Sequence, residues 1–237
     1  MKLFSASNPK IQKGVDFGYL THIMHLAPGR LSGRQVCASA SAGCLAGCLN
    51  TAGRGHMTPI QEARIRKTNK FFDTRPDFMD QMVKDIRSGI RKADRLGLIP
   101  CFRPNGTSDL RWESISVKFA KNIFEVFPNV QFYDYSKHSN RKNIPDNYHL
   151  TFSRSEDNDH KLGEAIQNGM NIAAVFNGDL PDTYMDLEVI DGDIHDLRFL
   201  DPSPVIVGLK AKGRAKKDTS GFVLNVLQPT ISSAAIA

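Results

Sequence analysis

Short apolar, β-branched runs alternate with helix-length amphipathic runs along most of the chain, and Gly or Pro separates them. Residues 18–27 read as a first strand that stops at Pro28-Gly29. Residues 59–71, with Pro59 in the first turn, and 76–96, closed by Gly97, read as helices. In the second, Phe78, Met82, Ile86, Ile90 and Ala93 fall at spacings of three and four. A strand over 98–103, a turn at Pro104-Asn105-Gly106, a helix over 112–127 and a strand over 130–135 follow. The pattern continues with a strand at 148–152, a helix at 158–170 and strands at 172–176, 187–190 and 204–209. Each crossover between parallel strands needs a connection of helix size, so the alternation predicts a parallel sheet in an α/β fold. The expected architecture is a small or partial β/α (TIM-like) barrel, with a doubly wound sheet as the other arrangement. In both, active groups gather at the C-terminal ends of the strands. Residues 1–224 are expected to form one domain, and 225–237, short of charge, an extended or frayed tail.

A chain of 237 residues with 41% hydrophobic and 24% charged residues can bury an ordinary core without disulfide staples. No run of 18 apolar residues predicts a membrane span, and the first residues lack the apolar stretch of a signal peptide. A cytoplasmic location and no membrane partner are the expectation. In that compartment four Cys read as buried thiols, metal ligands or redox groups. The net charge of +6 is uneven: residues 1–100 hold 16 Lys and Arg against 7 Asp and Glu. Such a basic half suits nucleic acid, an anionic cofactor or an acidic partner, or is simply a solvated helical face.

Residues 29–58 have no sustained helical period, so they read as a long and therefore functional loop. This loop holds Cys37, Cys44 and Cys48 within twelve residues, separated almost entirely by Ala, Ser and Gly. Small residues let a backbone curl around a bulky inorganic core and aim N–H groups at sulfur, so an iron–sulfur cluster is the first reading. Arg30, Arg34 and Arg54 flank the loop and would balance an anionic cluster. Structural zinc is the second reading, although zinc sites more often pair Cys in two knuckles. Buried inert thiols are the third. Cys101, 53 positions after Cys48, shares strand parity with Arg103. It is either the fourth ligand or a packed strand residue, which leaves one iron open to substrate or solvent.

Polar residues end several strands and outline a mouth above the sheet. Arg103, Asn105 and Asp109 follow the second strand, Lys137 the third and Arg154 the fourth; these five are the candidates for holding a polar or anionic ligand. Asp109 or Ser108 is equally placed to cap the helix expected at Trp112. His22 and His25 sit at odd spacing and read as structural. The six acids of residues 186–201 fit a turn between strands better than a hard-cation site, and Lys210–Lys217 reads as a solvated basic loop with weak anion or nucleic-acid potential.

Several of these motifs together resemble a known group. They are the three-Cys loop with Gly53-Arg54-Gly55, Ala63-Arg64, Asn105-Gly-Thr-Ser-Asp109 with Trp112-Glu113, Tyr133-Asp-Tyr-Ser-Lys137, Leu150 to Glu156 and Val189 to Asp193. Over residues 18–222 they are similar to the bacteriophage gene-product-88-like proteins, which look like reduced relatives of radical S-adenosylmethionine (SAM) enzymes. The resemblance implies a viral protein with a small β/α barrel and one [4Fe-4S] cluster on the loop after the first strand. The expected function is redox or reductive chemistry on an unidentified substrate, with a small-molecule or redox partner. Radical SAM enzymes use Cys-x3-Cys-x2-Cys, whereas this chain has Cys-x6-Cys-x3-Cys, a departure that counts against SAM as cofactor. The Asn105–Asp109 turn is also not the Gly-rich motif that radical SAM enzymes place there. A zinc-stabilised nucleic-acid-binding module is the alternative from a different class.

Overall fold

The computed structural model describes residues 1–6 and 9–225. The chain begins with β1 (Phe4–Ser5), α1 (Pro9–Val15) and β2 (Tyr19–Met24). Beyond a long loop come α2 (Ala42–Ala46), α3 (Thr58–Asp73), α4 (Arg75–Arg95) and β3 (Ile99–Arg103). They are followed by α5 (Ile123–Val126), β4 (Gln131–Ser136), β5 (Tyr148–Ser153), α6 (Leu162–Gln167) and β6 (Ile172–Asn177). The last strands are β7 (Thr183–Tyr184), β8 (Leu187–Asp191), β9 (Ile206–Lys210) and β10 (Val223–Asn225).

The strands form one mixed α/β sheet in the order β1-β2-β3-β4-β5-β6-β9-β8-β7, with β10 added to β6. β1 and β7 are antiparallel to their neighbours, and the pairs from β2 to β8 are parallel. The ladder does not close on itself among the described residues. β5 pairs with β6 only at Phe152↔Ile172 and Ser153↔Ala173. β10 then takes over the outer half of β6, from Val223↔Val175 to Asn225↔Asn177. The two neighbours of β6 thus part company at its C-terminal end, where parallel sheets open their ligand crevices.

Alternation along the strands gives the sheet two buried faces. One face carries Phe102, Phe132, Phe152 and Ile172 into the main core, where Phe78, Met82 and Ile86 of α4 join them. Each such side chain, fully withdrawn from water, contributes about 1.5–3 kcal/mol. His22 belongs to this face and stacks on Phe102 at 4.8 Å. On the other face lie Cys101 and Tyr133, packed with Leu197. The β8–β9 connection supplies Leu197 and crosses this face. Lys13 donates to the Asp193 carbonyl at 2.7 Å, and Phe199 meets Tyr19 edge-on at 5.2 Å. The connection therefore reaches from one end of the sheet to β2 and floors the space above.

The helix expected over 112–127 is absent. Only a 3-10 turn at Trp112–Ser114 and the single turn of α5 form there, separated by a bridge between Val117 and Ala120. Trp112 is drawn into the core with its indole N–H donating to Asn105 Oδ1 at 3.0 Å, and Asn122 caps a new start by accepting from the Phe124 and Glu125 N–H groups. These two anchors fix segments that one continuous helix would not satisfy together. Neither Ser108 nor Asp109 acts as a helix cap. The elements β1, α1, α2, β7 and β10 are too short to leave a period in the sequence. The expected tail falls almost wholly outside the described residues; its first residue, Asn225, ends β10. No described helix is long and apolar enough to cross a membrane.

Candidate functional site

The C-terminal ends of β3, β4, β5, β6 and β9 open into one cavity of about 220 Å³, roofed by the cysteine loop. Cys37, Cys44 and Cys48 all line it, as do Arg103, Asn105, Asp109 and Lys137. The structure thus brings together seven of the nine site residues expected from sequence.

Each thiol is held by different local chemistry. Cys37 follows the turn at Gly29–Val36, and its Sγ donates to the Thr107 carbonyl at 3.5 Å. The 105–109 turn is zipped to this loop, because Asp109 N–H donates to Val36 O and Thr107 Oγ1 to Leu26 O. Cys44 sits in α2, whose start is capped by Ser41 Oγ accepting from the Cys44 N–H at 3.2 Å. Glu156 backs this cap, accepting from Ser41 Oγ at 2.8 Å and from Gly43 N–H at 2.6 Å. Gly43 is required: a Cβ there would come within 2.0 Å of Ser220 Oγ and 2.7 Å of the Phe222 Cβ. The small residues of the loop therefore also serve close packing against the 211–222 wall. Cys48 Sγ accepts from the Asn50 N–H at 3.5 Å.

Asn50 connects Cys48 to one face of α3. Its side-chain amide donates to Gln61 Oε1 at 2.9 Å, Gln61 donates back to the Asn50 carbonyl at 2.9 Å, and Arg64 donates to Asn50 Oδ1. One turn further on, Thr68 Oγ1 accepts from the Ala27 N–H at 2.9 Å. Sequence reasoning gave Arg64 no role. Yet this guanidinium is 9% exposed, has no carboxylate partner among the described residues, and leaves its Nε without a hydrogen-bond partner. Lys137 is its counterpart on the opposite wall. Lys137 is 7% exposed, and its ammonium donates to Ser153 O and Oγ at 3.2 Å and lies 5.6 Å from the Phe222 ring centre, again with no described carboxylate partner. Both charges act on Cys48, and Lys137 also acts on Cys44.

Burial pushes the Cys37 thiol up to about 12 and raises Cys44 and Cys48 as well, despite these cations. Alone, the three are protonated at neutral pH, and a bound thiophilic metal would have to displace their protons. The donor set suits a soft metal or cluster: three thiols, a small-residue loop and two buried positive charges. No three His, Cys, Asp or Glu side chains among the described residues are gathered at metal-holding distance, so the sulfurs share a wall without converging.

The other expected site residues have partners that explain them. Arg103 pairs with Asp196 at 2.9 Å and covers the Tyr135 ring at 4.6 Å. Asn105 is a structural hub: its Oδ1 accepts from Ser108 Oγ, the Leu110 N–H and the Trp112 indole. Asp109 Oδ2 accepts from the Lys137 N–H at 2.8 Å, which locks the lysine backbone. Arg154 does not line the cavity; it pairs with Asp159 at 2.7 Å and donates to the Gly221 and Phe222 carbonyls, clamping the strand that leads into β10. Cys101 is likewise elsewhere, fully buried on the floor with Tyr133 and Leu197 and 3.2 Å from Thr21 Oγ1. Three of the six acids of 186–201 pair with separate cations, Asp196 with Arg103, Asp193 with Lys212 and Asp201 with Arg198, as befits a connection between strands.

No curated protein and no solved structure matches the chain. A family model described as Gene product 88 matches residues 2–226, nearly the whole length, and the chain therefore belongs to the gene product 88 family.

Proposed function

We propose that this phage-type protein is an iron–sulfur protein that binds one [4Fe-4S] cluster at Cys37, Cys44 and Cys48. Residues 1–224 would form one radical-SAM-like unit, a partial β/α barrel working in the host cytoplasm. The observation that supports this reading most is electrostatic. Arg64 and Lys137 are buried beside the three thiols with no ion-pair partner among the described residues, since Asp109 and Glu156 are engaged by backbone N–H groups and Ser41 instead, and burying an unpaired cation is costly. A thiolate-bound anionic group supplies the missing negative charge. When bound, such a cluster supplies one-electron chemistry. This chain's residues do the rest. Asn50 N–H and Arg64 steady Cys48, Ser41 and Glu156 hold α2 so that Cys44 faces the cavity, and the apolar wall of Val175, Leu209 and Phe222 keeps water away.

Cys101 lies in a separate cluster with its own partner, so the reading is a three-Cys site with one open position facing the cavity. The unusual Cys spacing leaves SAM as a ligand to be tested directly. Anaerobic incubation with dithionite and SAM yields 5′-deoxyadenosine if SAM is the ligand. Without cleavage, electron transfer or reduction of another small substrate remains as the function. The cluster itself is tested by anaerobic purification. A brown protein with broad absorption near about 400 nm and stoichiometric iron and sulfide is expected. A colourless protein holding zinc would instead support the zinc-stabilised nucleic-acid-binding module.

A further inference from the structure

The chain's positive charge is concentrated around the cavity mouth. Residues 17–61 carry three Arg and no acid, and residues 202–217 carry five Lys and Arg and no acid. Those eight charges exceed the +6 of the whole chain. The two segments pack on each other. A methyl group at Gly213 would lie 3.3 Å from the Ala52 Cβ, and one at Gly47 would lie 3.2 Å from the Ala215 Cβ. Three of the eight charges are paired, Lys210 with Asp179, Lys212 with Asp193 and Arg34 with Asp73. Arg30, Arg54, Arg214, Lys216 and Lys217 are exposed and form no ion pair among the described residues.

Within this collar the surface is apolar. Leu45 is 43% exposed, Leu49 55% and Met57 46%, and Leu31 and Ile60 are also exposed. Leu45 and Leu49 form part of the cavity rim. An exposed aliphatic patch ringed by cations marks an interaction surface. The basic segments contain no Trp; their one Phe, Phe17, packs edge-on against His195 at 4.6 Å ahead of β2, and their one Tyr, Tyr19, lies in β2 on the floor, so neither ring belongs to the patch and neither offers a nucleobase a stacking face there.

We propose that the mouth of the thiol cavity is the docking surface for an acidic protein, whose carboxylates meet the collar and whose apolar side chains cover Leu45, Leu49 and Met57. This inference does not depend on the cluster. It requires only the surface, and can be tested on metal-free protein.

The test uses fluorescence anisotropy with three labelled probes of equal charge: a short peptide of mixed Glu and Leu, an oligoglutamate, and an oligothymidylate. The mixed peptide is expected to bind most tightly, and more weakly at about 300 mM than at about 50 mM salt. Replacing Arg214, Lys216 and Lys217 together by Glu should weaken it about tenfold or more. L49S with M57S should remove its advantage over oligoglutamate while leaving oligoglutamate binding unchanged. All five sites are exposed, and an unchanged melting temperature confirms folding. Three results would overturn the proposal. The first is tightest binding by the oligothymidylate, and the second is equal binding of all three probes with no effect of L49S/M57S. Salt-sensitive self-association in sedimentation, with no probe binding, would mean that the occupant is a second copy.

Discussion

The floor of the sheet and the mouth above it contain the same kinds of group, buried arginines and cysteines, arranged by opposite rules. On the floor every buried cation has a carboxylate. Arg103 has Asp196 at 2.9 Å and Asp134 at 4.0 Å, and Arg198 has Asp201 at 3.3 Å. Cys101 shares this floor, packed with Tyr133 and Leu197 and 3.2 Å from Thr21 Oγ1. At the mouth, Arg64 and Lys137 are nearly as buried, yet their described acceptors are neutral: carbonyl, amide and hydroxyl oxygens, and for Lys137 also the Cys44 thiol. The floor pairs its cations and holds the fold together. At the mouth Asp109 and Glu156 stand near the thiols but neither pairs with Arg64 or Lys137, and the anionic group proposed above would supply that partner.

Breaking the floor should have the largest effect. Asp196→Ala strands Arg103 in a buried site and should cost about 3–5 kcal/mol, measured by urea unfolding. The second effect is acid sensitivity from His22. Burial holds its imidazolium pKa down, to about 4 from 6.5. A group whose folded pKa is depressed and that is neutral in the native state binds more protons unfolded. Stability should therefore fall as pH drops through the 6.5–4 window, by about 3 kcal/mol at full extent. His22→Phe, which keeps the stack on Phe102, should shrink that acid limb, and the share that remains includes that of His25, which burial holds down to about 3. Asp134, raised to about 7 by burial, acts in the opposite sense, since its contribution falls as pH rises toward 7.

At the mouth, stability and binding should separate. Arg64→Gln and Lys137→Met remove buried charges that lack carboxylates, so unfolding free energy should change by no more than about 1 kcal/mol or rise. Affinity for iron should nevertheless drop about 10–100-fold, as judged by iron and sulfide retained under chelator challenge. Equal losses of stability and iron would erase the distinction between the two regions. The smallest effect is expected from Cys101→Ala, with about 1 kcal/mol of lost packing and unchanged iron content and EPR signal.

The parallel sheet, α3, α4 and the grouping of three cysteines were legible in sequence because period, Pro59, Gly97 and local spacing all act over a few residues. What was not legible depends on contacts across the chain. Arg64 carries no local mark, and its meaning comes from Asn50 and from carboxylates that are elsewhere. Arg154 follows a strand just as Lys137 does, but its partners lie 67 residues away at Gly221, so it clamps a wall instead of facing the cavity. The 112–127 segment has helical apolar spacing, but Trp112 and Asn122 are claimed by Asn105 and by the α5 N–H groups.

The most direct test is anaerobic purification of the wild-type chain beside Cys37→Ala, Cys44→Ala, Cys48→Ala and Cys101→Ala, with iron, acid-labile sulfide and visible absorption measured on each. About four irons and four sulfides per chain are expected in the wild type and in Cys101→Ala, with loss in the other three. A wild-type protein without iron, or equal iron in all five proteins, would contradict the assignment of the mouth as a cluster site.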